Sequence, residues 1–283
     1  MGIFKNLQKM VFSQNEVEEF NNTQNSSPEN RNTTVTPASY NQNNQLTVVA
    51  DEQIDINFPF VEISTSGDDQ VCQMCKQFDG MLFRVSEVPT LPLHPFCGCV
   101  YMHHETAGRR KIRNPSDFVL PAKCTESFCI NADLIESEKD YTRRISLCEE
   151  GLSMLAEFLK PYISAGWKIP EVLPCFHWAM HDYMATGHWD DAERVIHIAA
   201  DAGIYSSKSE EKDNLLYLQK VCEVSNDAIK YLTENPGTLQ RNIYRKLCPP
   251  CDRGALKWFL TESMQIRKEK DAKTNKLFVA DTI

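Results

Sequence analysis

Apolar residues recur at helical spacing through most of the second half of the chain. The longest such run consists of Ile145, Leu147, Leu152, Leu155, Phe158, Leu159 and Ile163. Repeats at i, i+3 and i+4 are typical of amphipathic helices, and they predict helices over 145–163, 176–186, 190–202 and 215–232. A glycine or an Asn-Pro-Gly sequence follows each run, which is where helices commonly end. We therefore expect a compact helical bundle over residues 133–235.

The two shorter helices of this region are predicted to face each other across Gly187. Tyr183, Ala192 and Ala199 occupy close-packing positions in them, and the pair resembles a tetratricopeptide-type helical hairpin. Only one such unit is evident, whereas a solenoid needs about three repeats to bury a continuous core. The pattern therefore favours a bundle over a repeat array.

The pattern ahead of this region changes several times. Residues 1–20 place apolar side chains at helical spacing around two lysines, which predicts an amphipathic helix that can contact a partner protein or a membrane surface. Residues 21–45 are almost all Asn, Gln, Ser and Thr, which predicts a disordered tether. Alternating apolar residues at 46–63 predict short strands that begin a unit spanning 46–111. Residues 112–129 contain prolines and are interpreted as a connector.

The last segment, 236–283, combines two short helical patterns with two alternating ones. The apolar positions of the helices are Leu239, Ile243, Tyr244 and Leu247, then Leu256, Phe259, Leu260 and Met264. Asp252 can cap the second helix. Residues 265–270 and 276–280 alternate like the strands of a hairpin. Helix, helix and hairpin in this order resemble the end of a winged-helix module, and the predicted fold class is α+β and mostly α-helical.

The composition is that of an ordinary globular protein of one to three domains. The chain has 283 residues, of which 42% are hydrophobic and 24% charged, and a formal charge of −9. No stretch approaches the ~18 apolar residues of a membrane-spanning helix, and the first residues lack the features of a secretory signal. The predicted location is the cytoplasm, where the 11 cysteines are expected to be thiols and metal ligands rather than disulfides.

Cysteine and histidine are concentrated in one short region. The pattern C-x2-C-x18-H-x2-C-x-C is formed by Cys72, Cys75, His94, Cys97 and Cys99. Two thiolates from a tight turn and a second short group from a distant loop can complete the S and N tetrahedron that zinc accepts in closed structural sites. We favour Cys72, Cys75, His94 and Cys97 as ligands, with Cys99 replacing His94 or packing beside the site.

Two glycines fit this arrangement. Gly80 can turn the chain after the first cysteine pair, and Gly98 is expected to bend it sharply between Cys97 and Cys99. The alternative interpretation is a set of buried free cysteines with an incidental histidine.

The run from Asp68 to Cys99 resembles the cysteine motif of the phage minor head, or head-morphogenesis, family. That motif reads approximately D-x2-C-x2-C-x3-D/N-G-x2-F and then P-x-H-P-x-C-R-C. The matching positions are Asp69, Cys72, Cys75, Gly80, Phe83, Pro92, His94, Pro95, Cys97 and Cys99. Gly98 stands where the family usually has Arg, and a polar tether stands where the head proteins have a long helical region. The resemblance covers this run alone; it implies metal-knuckle chemistry and a role in capsid assembly.

The carboxy-terminal segment is basic although the chain is acidic. Ten basic and five acidic side chains give residues 237–283 a charge of +5, which leaves −14 for the rest. Such asymmetry is compatible with a nucleic-acid-binding face, for which the candidates are Arg241, Arg245, Lys257, Arg267, Lys268 and Lys270. The alternative is a solvated surface on a module that contacts proteins.

Two further constellations are weaker. Cys248 and Cys251 form a C-P-P-C motif ahead of a predicted helix, which suggests thiol redox chemistry or a second zinc site with Cys124 and Cys129. His177 and His181 are one helical turn apart, but no Glu follows the first histidine as the H-E-x-x-H zinc proteases require, so packing is favoured.

The patterns lack a glycine-rich phosphate loop and a nucleophile elbow. The sequence therefore predicts a non-catalytic zinc-binding interaction or scaffold protein with a protein partner and no small-molecule substrate. The first alternative is a nucleic-acid-binding regulator that acts through the basic segment, and the second is a thiol redox protein that uses Cys248 and Cys251.

Overall fold

The structure is a computed structural model that describes residues 54–283, except 66, 68–70, 171, 206, 249–250, 272–273 and 281–283. Its helices and strands all belong to one compact unit, Ile56–Ile283. The predicted amphipathic helix at 1–20, with its membrane-surface contact, and the predicted tether at 21–45 lie outside the described residues.

The described residues form an α+β fold in which helices predominate over two small antiparallel sheets. The strands are β1 (Phe60–Ser64), β2 (Met81–Arg84), β3 (Val100–His104), β4 (Thr238–Leu239), β5 (Ile266–Asp271) and β6 (Thr274–Val279). The helices are α1 (Gln73–Lys76), α2 (Thr125–Ser137), α3 (Tyr141–Ser164), α4 (Pro174–Thr186), α5 (Trp189–Asp201), α6 (Lys208–Glu234), α7 (Gln240–Leu247) and α8 (Arg253–Glu262). None of these helices is long and apolar enough to cross a bilayer.

The cysteine region is built on the first sheet, in which β1 pairs antiparallel with β2 on one side and β3 on the other. Alternation along β1 buries the side chains of Val61 and Ile63 completely. Beneath the sheet the rings of Phe78, Phe83 and Phe118 contact one another at centroid distances between 5.2 and 6.1 Å. These apolar residues form the packed core of the sheet that carries the cysteine turn.

Helices α2 to α6 pack successively, each on the next. The four helices predicted from apolar periodicity are confirmed as α3, α4, α5 and α6, and Gly187 ends α4 in the left-handed conformation with φ of 80°. The interpretation of residues 112–129 as a connector is wrong from Thr125 onward, where α2 begins. The polar residue Asn131 interrupts the buried apolar face of α2, so the helical period is weak in the sequence. The side-chain amide of Asn131 donates to the carbonyl of Leu147 on α3 (3.0 Å).

The last segment follows the order α6, β4, α7, α8, β5, β6, and its sheet has the strand order β4-β6-β5. The predicted helices and hairpin are confirmed, and the Asp252 carboxylate caps α8 by accepting from the Ala255 amide (2.9 Å). This segment docks on the carboxyl end of α4, where the Ala185 carbonyl accepts from the Met264 amide (2.9 Å). The side-chain amide of Gln265 also donates to the Thr186 carbonyl (3.3 Å).

Candidate metal centre

The first half of the centre is the short turn that contains α1. Cys72 precedes this helix as its N-cap, and its Sγ accepts from the Cys75 amide (3.4 Å). Gly80 then turns the chain with φ of 68°, as expected, and its amide donates to the Ile63 carbonyl on β1 (2.9 Å). The turn is therefore anchored to the sheet directly after its second cysteine.

The second half is the loop that leads into β3. The Cys97 amide donates to the His94 carbonyl (3.1 Å), and the sharp bend lies at Phe96, which has φ of 58°. The expectation that Gly98 bends the chain sharply between Cys97 and Cys99 is wrong, because residues 97–99 contain neither a turn nor a bend. Phe96 adopts this conformation inside the tight His94–Cys97 turn, where its ring remains exposed.

His94 is oriented as a ligand by its own neighbour. Its Nδ1 lies 2.8 Å from the Pro95 carbonyl oxygen, which can only accept, so Nδ1 carries the hydrogen. The other ring nitrogen, Nε2, lies 3.1 Å from the Cys75 Sγ. A hydrogen-bonded Nδ1 with Nε2 aimed into a thiol cluster is the arrangement that fixes the tautomer of a metal-binding histidine.

The two halves converge on Cys75. Its Sγ lies 3.7 Å from the Cys97 Sγ, and two overlapping groups of donor atoms share it. The donor atoms of Cys72, Cys75 and His94 lie within 4.8 Å of one another, as do those of Cys75, Cys97 and Cys99. All five candidates from the sequence are thus brought together in groups that can hold a metal ion. The preference for one set of four among the five stays a prediction.

The cluster concentrates negative charge that the protein compensates only in part. Hydrogen bonds from Cys75 lower the pKa of Cys72 to about 4 and lower that of Cys97 as well. The same contacts raise the pKa of Cys75. Burial lowers the pKa of His94, but its hydrogen bonds with Cys72 and Cys97 outweigh burial and raise that pKa to about 10. The thiols of Cys72 and Cys97 are thus favoured in the deprotonated form that metal binding requires.

The centre is tied to the helical region by amide contacts. The Gln77 side chain donates to the Val119 carbonyl (2.6 Å) and accepts from the Val119 amide (3.0 Å). The Gln73 side chain accepts from the Lys168 amide (3.1 Å), in the loop that follows α3. Gln73 is the first residue of α1 and Gln77 is its C-cap, so hydrogen bonds on both sides of Cys75 join the cysteine turn to segments far away in the sequence.

The sequence did not associate two nearby residues with this centre. Tyr162 on α3 is buried, and its hydroxyl has no hydrogen-bond partner among the described groups. Burial raises the pKa of Tyr162, and the charges of Cys72, Cys75 and Cys97 raise it further, which places the ring within the field of the cluster. Cys129 on α2 is also buried; burial raises its pKa, and the charge of Cys97 raises that pKa further. Only the packing of α2 and α3 against the cysteine loops shows these neighbours.

The basic candidates do not form a single free face. The Arg267 guanidinium pairs with Glu269 (2.5 Å) and lies over the Phe278 ring, and the Lys268 ammonium donates to the Thr261 carbonyl at the end of α8. Arg241 and Arg245 on α7, Lys257 on α8 and Lys270 on β5 have exposed side chains. Their use in binding stays a prediction.

The two weaker candidate sites are the cysteine pair Cys248 and Cys251 and the histidine pair His177 and His181. The sulfurs of Cys248 and Cys251 lie 3.1 Å apart, but among the described residues they belong to no group of three metal donors, and neither do Cys124 and Cys129. His177 is buried, and its Nδ1 has no hydrogen-bond partner among the described residues.

His181, in contrast, belongs to a buried ionic network that the sequence did not indicate. The Asp182 carboxylate accepts two hydrogen bonds from Arg144 on α3 (2.6 and 2.7 Å) and lies 2.8 Å from the His181 Nδ1. The His181 Nε2 faces Glu262 on α8 at 3.6 Å, and the Arg144 guanidinium lies over the Trp178 ring. The network connects α3, α4 and α8, and its members are too far apart in sequence for periodicity to associate them.

The chain matches no protein-family model, and neither a curated protein nor a solved structure is significantly similar to it.

Proposed function

We propose that this chain is a non-catalytic interaction protein whose cysteine and histidine cluster binds one structural zinc ion. The observation that carries the proposal is that two groups of three donor atoms, from two chain segments, share the Cys75 sulfur. In a tetrahedron with Zn–S bonds of about 2.3 Å, neighbouring sulfurs lie about 3.8 Å apart. The distance of 3.7 Å between the sulfurs of Cys75 and Cys97 agrees with that edge.

Donor chemistry favours zinc over the other common cations. Mg²⁺ and Ca²⁺ require oxygen ligands, whereas thiolate and imidazole suit Zn²⁺ in tetrahedral sites. Four protein ligands leave no position for a reactive water, so the role we infer is structural rather than catalytic. Such a site can contribute ~10 kcal/mol of folding free energy, which suits a sheet of only three short strands.

The interaction role is supported by what surrounds the centre. Phe96 in the ligand loop is 54% exposed, and Met102 on the neighbouring edge strand β3 is 48% exposed. A metal-fixed loop beside an apolar strand edge is the surface to which we assign the protein partner. The resemblance to the head-morphogenesis motif makes a phage capsid component the partner we propose, and portal or capsid genes beside this gene would support it.

Metal analysis tests the proposal. Purified chain is expected to contain one zinc ion, and Cys72→Ser combined with Cys75→Ser should abolish it. Cys222→Ser is the matched control, because Cys222 is a partly exposed thiol on α6 outside both donor groups. Folded wild-type protein without metal, or loss of zinc in the control variant, would contradict the proposal.

A second candidate function is nucleic-acid binding by the carboxy-terminal segment. The helix and strand order from α6 to β6, with sheet order β4-β6-β5, supports the comparison with a winged-helix module, in which α8 would enter a DNA groove. Duplex binding should then weaken steeply with salt, and Arg241→Glu with Arg245→Glu should reduce both the affinity and the salt dependence. Lys230→Glu on α6 is the control for charge alone. Equal binding by both variants would refute this candidate.

A further inference from the structure

The sulfurs of Cys248 and Cys251 lie close together between α7 and α8. Cys248 follows the last residue of α7, and Cys251 precedes Asp252, the N-cap of α8. Their Sγ atoms lie 3.1 Å apart, about 1 Å more than the ~2.05 Å of a disulfide bond. Both side chains are partly exposed, so a small molecule in solution can reach them.

The surroundings of this pair argue against a metal. Within the described part of the chain, no third cysteine, histidine or carboxylate completes a group of three donors around Cys248 and Cys251. Two thiolates alone do not satisfy a structural zinc site, which takes four ligands. The pair therefore differs from the centre at Cys75, where two groups of three donor atoms share one sulfur.

We propose that Cys248 and Cys251 form a reversible disulfide in exchange with low-molecular-weight disulfides, which makes the α7–α8 junction a redox modification site. The proposal does not depend on zinc binding at the other centre. It also differs from a thiol redox enzyme, because the disulfide is the end state and no second substrate is required.

The exchange proceeds in two balanced steps. The Cys248 thiolate attacks one sulfur of the small disulfide, forms a mixed disulfide and releases one small thiolate. Cys251 then loses its proton, and its thiolate attacks the Cys248 sulfur and expels the second small thiolate. The protein loses two hydrogens and two electrons, and the small disulfide is reduced to two thiols.

The order of attack follows from the environment of each thiol. Burial and the hydrogen bond with Cys248 raise the pKa of Cys251 to about 12, so Cys251 retains its proton and acts second. Closure of the ring would fix the end of α7 to the start of α8. The capping interaction of Asp252 with Ala255 and its ion pair with Lys220 on α6 (4.0 Å) lie directly beside the bond that forms.

The test uses the full, zinc-loaded chain in glutathione buffers of rising oxidised fraction. Free thiols are alkylated and mapped by mass spectrometry. The expected result is that Cys248 and Cys251 lose reactivity together, in a peptide that is lighter by two hydrogens, with zinc retained. Cys251→Ser should instead trap a stable glutathione adduct on Cys248, because the resolving thiol is absent, and Cys222→Ser should behave like wild type.

Two outcomes would overturn the proposal. One is that both thiols remain open to alkylation in the most oxidising buffer. The other is that wild-type Cys248 retains a glutathione adduct as the Cys251→Ser variant does. Since zinc content is measured in the same samples, failure here is distinguishable from failure of the metal proposal.

Discussion

The sharpest energetic prediction concerns His177, which is buried in α4 and whose Nδ1 meets no hydrogen-bond partner in the part of the chain that the structure describes. Burial lowers the pKa of His177 to about 4, whereas an unfolded histidine titrates near 6.5. Below pH 6.5 the unfolded chain therefore takes up a proton that the folded chain refuses, and stability falls as the pH falls. The full difference is worth about 3 kcal/mol, of which about 2 kcal/mol is lost between pH 7 and pH 5.

The assay is urea unfolding of wild type and His177→Leu at several pH values. Acid also releases metal from thiolates, so the informative quantity is the difference in unfolding free energy between the two proteins at each pH. We expect this difference to move by about 2 kcal/mol in favour of the variant from pH 7 to pH 5. A difference that stays constant over this range would refute the assignment of His177 as a neutral, unprotonated core residue.

Three further predictions concern the contacts between helices. Burial lowers the pKa of His181, but Asp182 and Glu262 outweigh burial and raise that pKa. The stabilisation of the folded state by protonated His181 is therefore fully present below pH 6.5, and it is lost as the pH rises through the pKa of His181 in the folded protein. His181→Gln should therefore destabilise the protein more at pH 6 than at pH 9, and the reverse order in urea unfolding would contradict this. Arg144→Met leaves the fully buried Asp182 without its bidentate partner and should lower the free energy of unfolding by about 3–5 kcal/mol at pH 7. A decrease below about 1 kcal/mol in chemical denaturation would show that the ion pair is not buried. Gly151→Ala places a Cβ 2.5 Å from Asn131 Oδ1 and from Cys175 Cβ, and should cost about 1–3 kcal/mol. In the exposed helical control Gly254→Ala the Cβ meets only the side chain of Asp252, at 3.2 Å from Oδ1, and the cost should be smaller. Equal effects of the two substitutions on the melting temperature would oppose the packing described for α2, α3 and α4.

The helices could be predicted where their apolar residues recur at a regular helical period. Helices α3 and α6 carry a regular stripe, and α5 ends just before Gly203, so their positions follow from period and punctuation alone. Helix α2 could not be predicted in this way, because Asn131 occupies a buried position and is satisfied by a carbonyl from another helix. This hydrogen bond depends on the tertiary fold, so the local sequence does not predict it.

The candidate metal centre was accessible from the sequence because metal ligation is constrained by spacing. A C-x2-C turn must bring its sulfurs together, and Cys72 and Cys75 do so through the N-cap of α1. The ionic network around Asp182 depends on how α3, α4 and α8 approach one another. No spacing rule relates residues on three separate helices, so only the assembled fold shows them.

The most direct test of the central claim is the coordination shell of the metal in purified full-length chain, measured by X-ray absorption at the zinc edge. The account predicts zinc surrounded by sulfur at about 2.3 Å and nitrogen at about 2.0 Å, with four ligands in total. A zinc shell made only of oxygen and nitrogen, or folded protein that gives no zinc edge, would contradict it.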